Sequence, residues 1–311
     1  MIYKISAEEN GKTVKEILRY GVGLSLAFTK QLKFLDNGIM LNGEKVTVRK
    51  IVSEGDILFL ATEDIEKDGV LTPTKLPLNI VYEDEYIVLP NKSADMPTHP
   101  SHNHRGDTLA DALAYKYKQE GVPFVFRAIS RLDRNTSGIV LIAKDRISAS
   151  HLSESMKSGN IKKRYVAILE GKLPQNEGII DTFIKREAES IIFRKVCSED
   201  EGGDRAITKY KVLSVKDEYS LVLAYPITGR THQLRIHFSH LGAPILGDDM
   251  YGKESKLIAR HALHALSLEF IHPRTHEPLS VLAEPSADMT LLIKFIFGDN
   301  TLKNLTELIK N

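Results

Sequence analysis

Cysteine is nearly missing from this sequence: Cys197 is the only one in 311 residues. That excludes a disulfide framework and a cysteine-built zinc site, and it fits a reducing, cytoplasmic setting. Tryptophan is absent. No apolar run approaches the ~20 residues of a membrane span. The opening MIYKISAEENGK has no apolar h-region, so neither a membrane partner nor a secretory signal is expected. A dominant charge is lacking too, with 42 Lys and Arg against 41 Asp and Glu, a net charge of +1. This excludes a globally basic nucleic-acid coat but leaves local patches open. No phosphate-binding P-loop, G-x-G-x-x-G, G-x-S-x-G or H-E-x-x-H is present, so ATP, nicotinamide, serine-hydrolase and zinc-protease chemistry lack support.

What is present is an ordinary globular balance, 42% hydrophobic and 27% charged, at a length that suggests about two domains. Residues 62–76, TEDIEKDGVLTPTKL, are polar, acidic and without period, and read as a linker. They divide a small unit, 1–61, from a large one, 77–298, with a tail, 299–311, in which Leu302, Leu305 and Leu308 suit a short amphipathic helix. The small unit reads helix, helix, hairpin. Thr13 caps VKEILRY, a second helix near Ser25 to Leu35 buries Leu26, Leu32 and Leu35, and Asn42-Gly43 turns a hairpin. Lys30, Lys33, Lys45, Arg49 and Lys50 give it a basic edge, suited either to a phosphate backbone or simply to solvent.

The large unit mixes strands and helices, with several neighbouring strands joined by short turns. NIVYEDEYIVLP reads as two strands, TLADALAYKYKQEG as a helix capped by Thr108, and GIVLIAKD and RYVAILEG as strands. AITKYKVLSVKD and YSLVLAYPI read as a hairpin. The expected fold is therefore α+β, with a central mixed, largely antiparallel sheet flanked by helices and loops.

Two segments can carry chemistry. In Arg131-Leu132-Asp133-Arg134-Asn135-Thr136-Ser137-Gly138 one carboxylate stands among two arginines, which favour its ionised form. Such a group at a strand entry can act as nucleophile or base, or it can close a structural Asx turn. In Thr228-Gly229-Arg230-Thr231-His232-Gln233-Leu234-Arg235, Thr231 is the expected cap of a helix bearing Leu234, Phe238 and Leu241. Arg235 then lies in its first turns, where the helix dipole offers a cation nothing, so a carboxylate, a phosphate or solvent must serve it. Lys162-Lys163-Arg164-Tyr165 offers phosphate neutralisation with a stacking face, or alternatively a protected edge strand. The histidines, including His261 and His264 at helical i, i+3 spacing, lack a ligand motif and a paired carboxylate, and no metal site is expected. Cys197 beside SEDEGGD is a poor nucleophile.

In order and wording, RAISRLDRNTSGIVLIAKD, KKRYVAILEG, PITGRTHQLRIHFSHLGAPILGDDMYG and LHALSLEFIHP resemble the RNA pseudouridine synthases of the ribosomal large-subunit family, over roughly residues 77 to 295. The first 60 residues more faintly resemble the RNA-binding module of ribosomal small-subunit protein four. The resemblance implies that Asp133 is the catalytic aspartate, Arg235 its paired arginine, and Tyr165 the tyrosine that packs on the uracil and is proposed to take a proton. It also implies that Arg131 displaces the target base and Leu263 lines the pocket. Arg230, in the same motif as Arg235, is expected to bind substrate. Ser130 stands where the family usually has histidine, and Ser93 where it has proline. Isomerisation of uridine requires no redox carrier, nucleotide or metal, so no cofactor is expected. The implied partner is structured RNA, ribosomal first and transfer RNA second, bound by a monomer. A non-catalytic RNA-binding or ribosome-assembly protein on the same scaffold is the alternative.

Overall fold

The computed structural model describes residues 1–62, 71–190 and 192–310, with the side chains of the last helix described at 301, 303, 305 and 307. Most of the expected linker, 63–70, lies outside the described residues. Its end is tied down: the Thr72 amide donates to Asp111 Oδ1 at 2.8 Å and the Thr74 amide to the Asp111 carbonyl at 3.2 Å.

Residues 1–60 build a four-stranded sheet from β1 (Ile2–Lys4), β2 (Ile39–Leu41), β3 (Glu44–Lys45) and β4 (Ile57–Leu60), in the order β1-β4-β2-β3. Asn42 and Gly43 carry the positive φ values, 51° and 86°, that their two-residue turn demands. Two short helices cover the sheet, α1 (Val14–Glu16), continued by a π-turn over Ile17–Gly21, and α2 (Leu26–Phe34). Thr13 caps α1 reciprocally with Glu16, and Ser25 caps α2 at the Phe28 amide. One expectation fails here. Leu26 is 64% exposed, and Phe28 takes its place in the core beside Leu32.

The larger unit is one mixed sheet. Its strands are β5 (Ile80–Glu83), β6 (Ile87–Lys92), β7 (Arg127–Ala128), β8 (Ser137–Ile139), β9 (Ile142–Ala143), β10 (Lys162–Glu170), β11 (Glu177–Arg186), β12 (Arg194–Cys197), β13 (Asp204–Lys216), β14 (Tyr219–Pro226), β15 (Leu263–Ile271) and β16 (Pro278–Leu282). They run in the order β12-β11-β13-β14-β10-β15-β8-β6-β9-β7, with β16 on β15 and β5 on β6. Among the described residues every pairing is antiparallel except β8 with β15. This α+β architecture is the expected one. The helices are α3 (Leu109–Glu120), α4 (Arg146–Lys157), α5 (Gln233–His240), α6 (Ala287–Phe297) and α7 (Asp299–Lys310). Helix α7 forms in the tail and buries Leu305; the side chains of Leu302 and Leu308 lie outside the described residues.

Three sequence readings need correction. GIVLIAKD is not one strand, because it kinks between β8 and β9, where Ser130 Oγ accepts from the Leu141 amide at 2.9 Å. Thr231 does not cap α5. His232, in the left-handed region at φ 58°, precedes it, with no side-chain cap. His261 and His264 share no helix, since His264 lies in β15 and His261 in the loop before it.

Two large cores flank the sheet, with a small third cluster of Ile184, Ala206 and Ile236. One packs β10 and β14 under α5 and α6 through Val166, Leu223, Phe238 and Ile293; the other packs β6, β8 and β9 against α3 and α4 through Leu89, Ile139, Leu113 and Leu152. The seam between them runs along β8, β15 and β10.

Candidate active site

At that seam the segment 131–136, between β7 and β8, is pinned from four directions. Thr98 Oγ1 donates to the Leu132 carbonyl at 2.9 Å and accepts from its amide. Lys92 Nζ donates to the Arg134 carbonyl at 3.0 Å, Arg260 Nη1 donates to the Asn135 carbonyl at 3.0 Å, and His261 Nε2 bonds Thr136 Oγ1 at 2.7 Å. Leu132 is the apolar anchor, 8% exposed. With its backbone fixed, the loop turns Asp133 into a cleft of about 540 Å³. The carboxylate stays about one-third exposed.

Helix α5 forms the opposite wall and brings in Arg235, whose guanidinium is buried. Nη1 lies 3.9 Å from Asp133 Oδ2. The guanidinium is held bidentately elsewhere: Nε donates to Asp248 Oδ2 at 2.7 Å and Nη2 to Asp248 Oδ1 at 2.6 Å. Asp248 is fully buried, and its Oδ1 also accepts from the Met250 and Tyr251 amides. Burial works to raise the Asp248 carboxyl, but Arg235 and the backbone donors outweigh it and hold it below the usual carboxylate range. The Tyr251 ring lies 5.2 Å from the guanidinium, and its hydroxyl bonds His232 Nδ1 at 2.9 Å. His232 Nε2 stands 4.0 Å from Asp133 Oδ2, and burial lowers that imidazole against the pull of Asp133.

Strand β10 supplies the floor. Its register against β15 slips between Arg164 and Tyr165, and both Tyr165 and Leu263 line the cleft. Burial and the charge of Asp133 push the Tyr165 phenol up, so it stands protonated and is a donor rather than a ready base. Cations line the rest: Arg131 and Arg230, both exposed, with Lys157 and Lys163. Burial lowers Lys163 to about 8, and its Nζ donates to the Thr228 carbonyl at 3.2 Å. A larger groove of about 820 Å³ against α6 lies behind the Asp133 loop, lined in part by Asn135 and Arg260.

All six residues singled out from sequence thus meet in one cleft: Asp133, Tyr165, Arg235, Arg131, Leu263 and Arg230. The Asp133 carboxylate faces a fixed guanidinium beside a flat aromatic ring, inside a cationic rim. The family model for RNA pseudouridylate synthase matches residues 85–240, which contain both walls of the cleft. The chain belongs to the RNA pseudouridine synthase family. It is an isomerase that converts uridine to pseudouridine in RNA.

Relatives of this synthase extend the match along most of its length. A Bacillus subtilis (strain 168) protein, the uncharacterized RNA pseudouridine synthase YjbO, is 38% identical over 288 residues, 93% of this chain and 99% of its own. The ribosomal large subunit pseudouridine synthase D of Zymomonas mobilis is 35% identical over 282 residues, covering 86% of this chain and 88% of its own. Among solved structures, human RNA pseudouridylate synthase domain containing 1 superposes with a TM-score of 0.58 at 26% identity, covering 79% of this chain and 98% of that one.

Sequence reasoning missed Asp248, His232, Tyr251, Lys92 and Arg260. The available signal for Asp248 was GDDMYG, a carboxylate placed directly after the apolar run APIL.

Proposed function

We propose that this synthase acts on ribosomal RNA with Asp133 as its catalytic carboxylate. The carrying observation is the placement of Asp133 3.9 Å from a buried guanidinium, in a cleft that also holds Tyr165 and Leu263. The reaction breaks the bond from ribose C1′ to ring N1, turns the base and joins C1′ to C5. The C5 proton leaves, N1 gains one, and nothing is oxidised or reduced. Asp133 either attacks C1′ or removes a ribose proton, and both routes need the anion, beside which Arg235 stands at 3.9 Å.

The target uridine must leave its stack, at a cost of a few kcal/mol. Arg131 at the mouth fills the vacated place, Tyr165 and Leu263 pack on the uracil, and Arg230, Lys157 and Lys163 serve phosphates. The protonated phenol of Tyr165 supports its packing role more than a proton-accepting one. Residues 1–61 act as the RNA-binding module in front of a catalytic domain of residues 77–298. The preference for ribosomal RNA follows the names of relatives such as that of Zymomonas mobilis. The protein works as a cytoplasmic monomer.

The test is Asp133→Asn in the full chain, with RNA from cells lacking the protein as substrate and pseudouridine mapped at each uridine. The variant is expected to fold and to bind RNA with unchanged affinity, with no pseudouridine formed. Retained turnover would remove Asp133 from the mechanism, and new pseudouridine only in transfer RNA would overturn the ribosomal assignment.

A further inference from the structure

Helix α4 touches both units of the chain. Along one stripe of it, Ile147 enters the core of the small unit, Ser150 Oγ accepts from the Ser25 amide at 2.6 Å, and His151 Nε2 donates to the Val22 carbonyl at 3.0 Å. One turn on, Glu154 pairs with Arg19 at 3.3 Å. Positions 147, 150, 154 and 157 follow the helical repeat and share a face. At the end of that face Lys157, with its neighbour Met156, lines the catalytic cleft. The seat is close-fitting. Gly23, at φ +76°, packs against the His151 ring: a Cβ there would lie 2.1 Å from Nε2, so a side chain at 23 would force the ring off the Val22 carbonyl.

Arg19 also lines a groove of about 490 Å³ on the small unit, together with Lys15, Lys30 and Lys33. Leu26 and Phe34 border it, 64% and 80% exposed, and among the described residues no carboxylate lines it. Four cations around an exposed aromatic ring suit a phosphate backbone with a base to stack. The groove reaches Arg19, Arg19 meets Glu154, and Lys157 lies three residues further along the helix, about 4.5 Å by helical rise. Arg19, Glu154 and Lys157 thus link the edge of the groove to the cleft, two cations with one carboxylate between them, along the face of α4.

We infer that α4 is a seat that fixes the small unit against the catalytic domain, so that its basic groove and the cleft form one continuous surface for a single RNA. This rests on the reading of the protein as an RNA-directed synthase, and it adds to that reading a fixed offset between the held RNA and the modified uridine. A module on a free tether raises the local RNA concentration but sets no offset.

The test uses full-length variants and transcribed large-subunit ribosomal RNA. Lys30→Glu with Lys33→Glu is expected to weaken binding at least about tenfold, and to flatten the salt dependence by about 0.7 for each phosphate no longer neutralised. Gly23→Val alters no charge, yet unseats the module and is expected to give a similar loss of affinity. Combined with the charge reversal it adds little further loss. Ser150→Ala with His151→Ala is the milder second unseating variant, checked by faster hydrogen exchange at the Ser25 amide. An unchanged salt slope in the charge-reversed protein would overturn the groove as an RNA surface and leave it to a protein partner. Full affinity in both unseated variants, or losses that multiply, would overturn the fixed seat. These are binding results, so they stand whether or not Asp133→Asn abolishes turnover.

Discussion

Arg235 faces three carboxylates, and serves them differently; the exposed Asp249 stands 3.7 Å from Nη2. Asp248 takes the guanidinium bidentately at 2.6 and 2.7 Å, while Asp133 approaches only to 3.9 Å. The buried pair fixes the guanidinium through Nε and Nη2 and holds Nη1 beyond hydrogen-bonding distance of Asp133, which leaves Asp133 near positive charge yet with its oxygens available to a substrate. Asp248 is thus a positioning residue. Asp248→Asn is expected to leave Arg235 buried without its counter-charge, costing about 3–5 kcal/mol of stability. It should also lower kcat by about a hundredfold as the guanidinium shifts, with KM for RNA little changed. Urea unfolding and single-turnover pseudouridine assays measure the two effects. A KM effect alone would place Asp248 in RNA binding instead. Ser130, where the family usually has histidine, has a local task of its own, since its hydroxyl holds the Leu141 amide at the kink after β8.

At the scale of elements, β8 carries the loop of Asp133 into the sheet by pairing with β15, Ser137 opposite His264 and Gly138 opposite Ala265. The approach depends on glycine. Gly138 has φ +118°, and a Cβ there would come within 2.2 Å of the Ala265 carbonyl oxygen. Gly138→Ala is therefore expected to destabilise the protein by about 3 kcal/mol or more, through backbone strain and overpacking. Activity falls with it because Asp133 sits five residues upstream; an unchanged urea midpoint would refute the close approach. Helix termini were legible in sequence where the cap lies within three residues, as at Thr108, whose hydroxyl accepts from the Asp111 amide while Asp111 accepts in return. The start of α5 was not. His232 sits there in a left-handed conformation because its ring is engaged by Tyr251, 19 residues away, and no local rule reports that.

For the whole molecule, acid stability is decided by imidazoles that folding buries in the neutral state. His237, His261 and His264 are almost without solvent contact, and burial lowers them to about 4, 3 and 4. Unfolded, each titrates near 6.5. The unfolded chain therefore binds more protons below that pH. Stability is fully present above about 6.5 and is lost as pH falls toward 4, by about 1–2 kcal/mol per histidine at pH 5. Carboxylates titrate lower and do not account for loss between pH 6.5 and 5. The urea midpoint is expected to fall steadily across that window. His237→Gln, whose amide can still bond Thr182 and Thr208, should reduce the slope; a flat profile in the parent protein would show that these rings are protonated when folded.

The sequence by itself determined most of the longer strands, most caps, the turn at Asn42-Gly43 and six of the residues that meet in the cleft, because alternation, capping and motif order are written within a few residues of one another. Only the tertiary structure decided which carboxylate Arg235 grips and where the first 60 residues sit. Both choices depend on desolvation and on donors and acceptors brought together from distant parts of the chain, Asp248 with Arg235 across 13 residues and Ser150 with Ser25 across 125. No local pattern encodes what burial alone makes favourable.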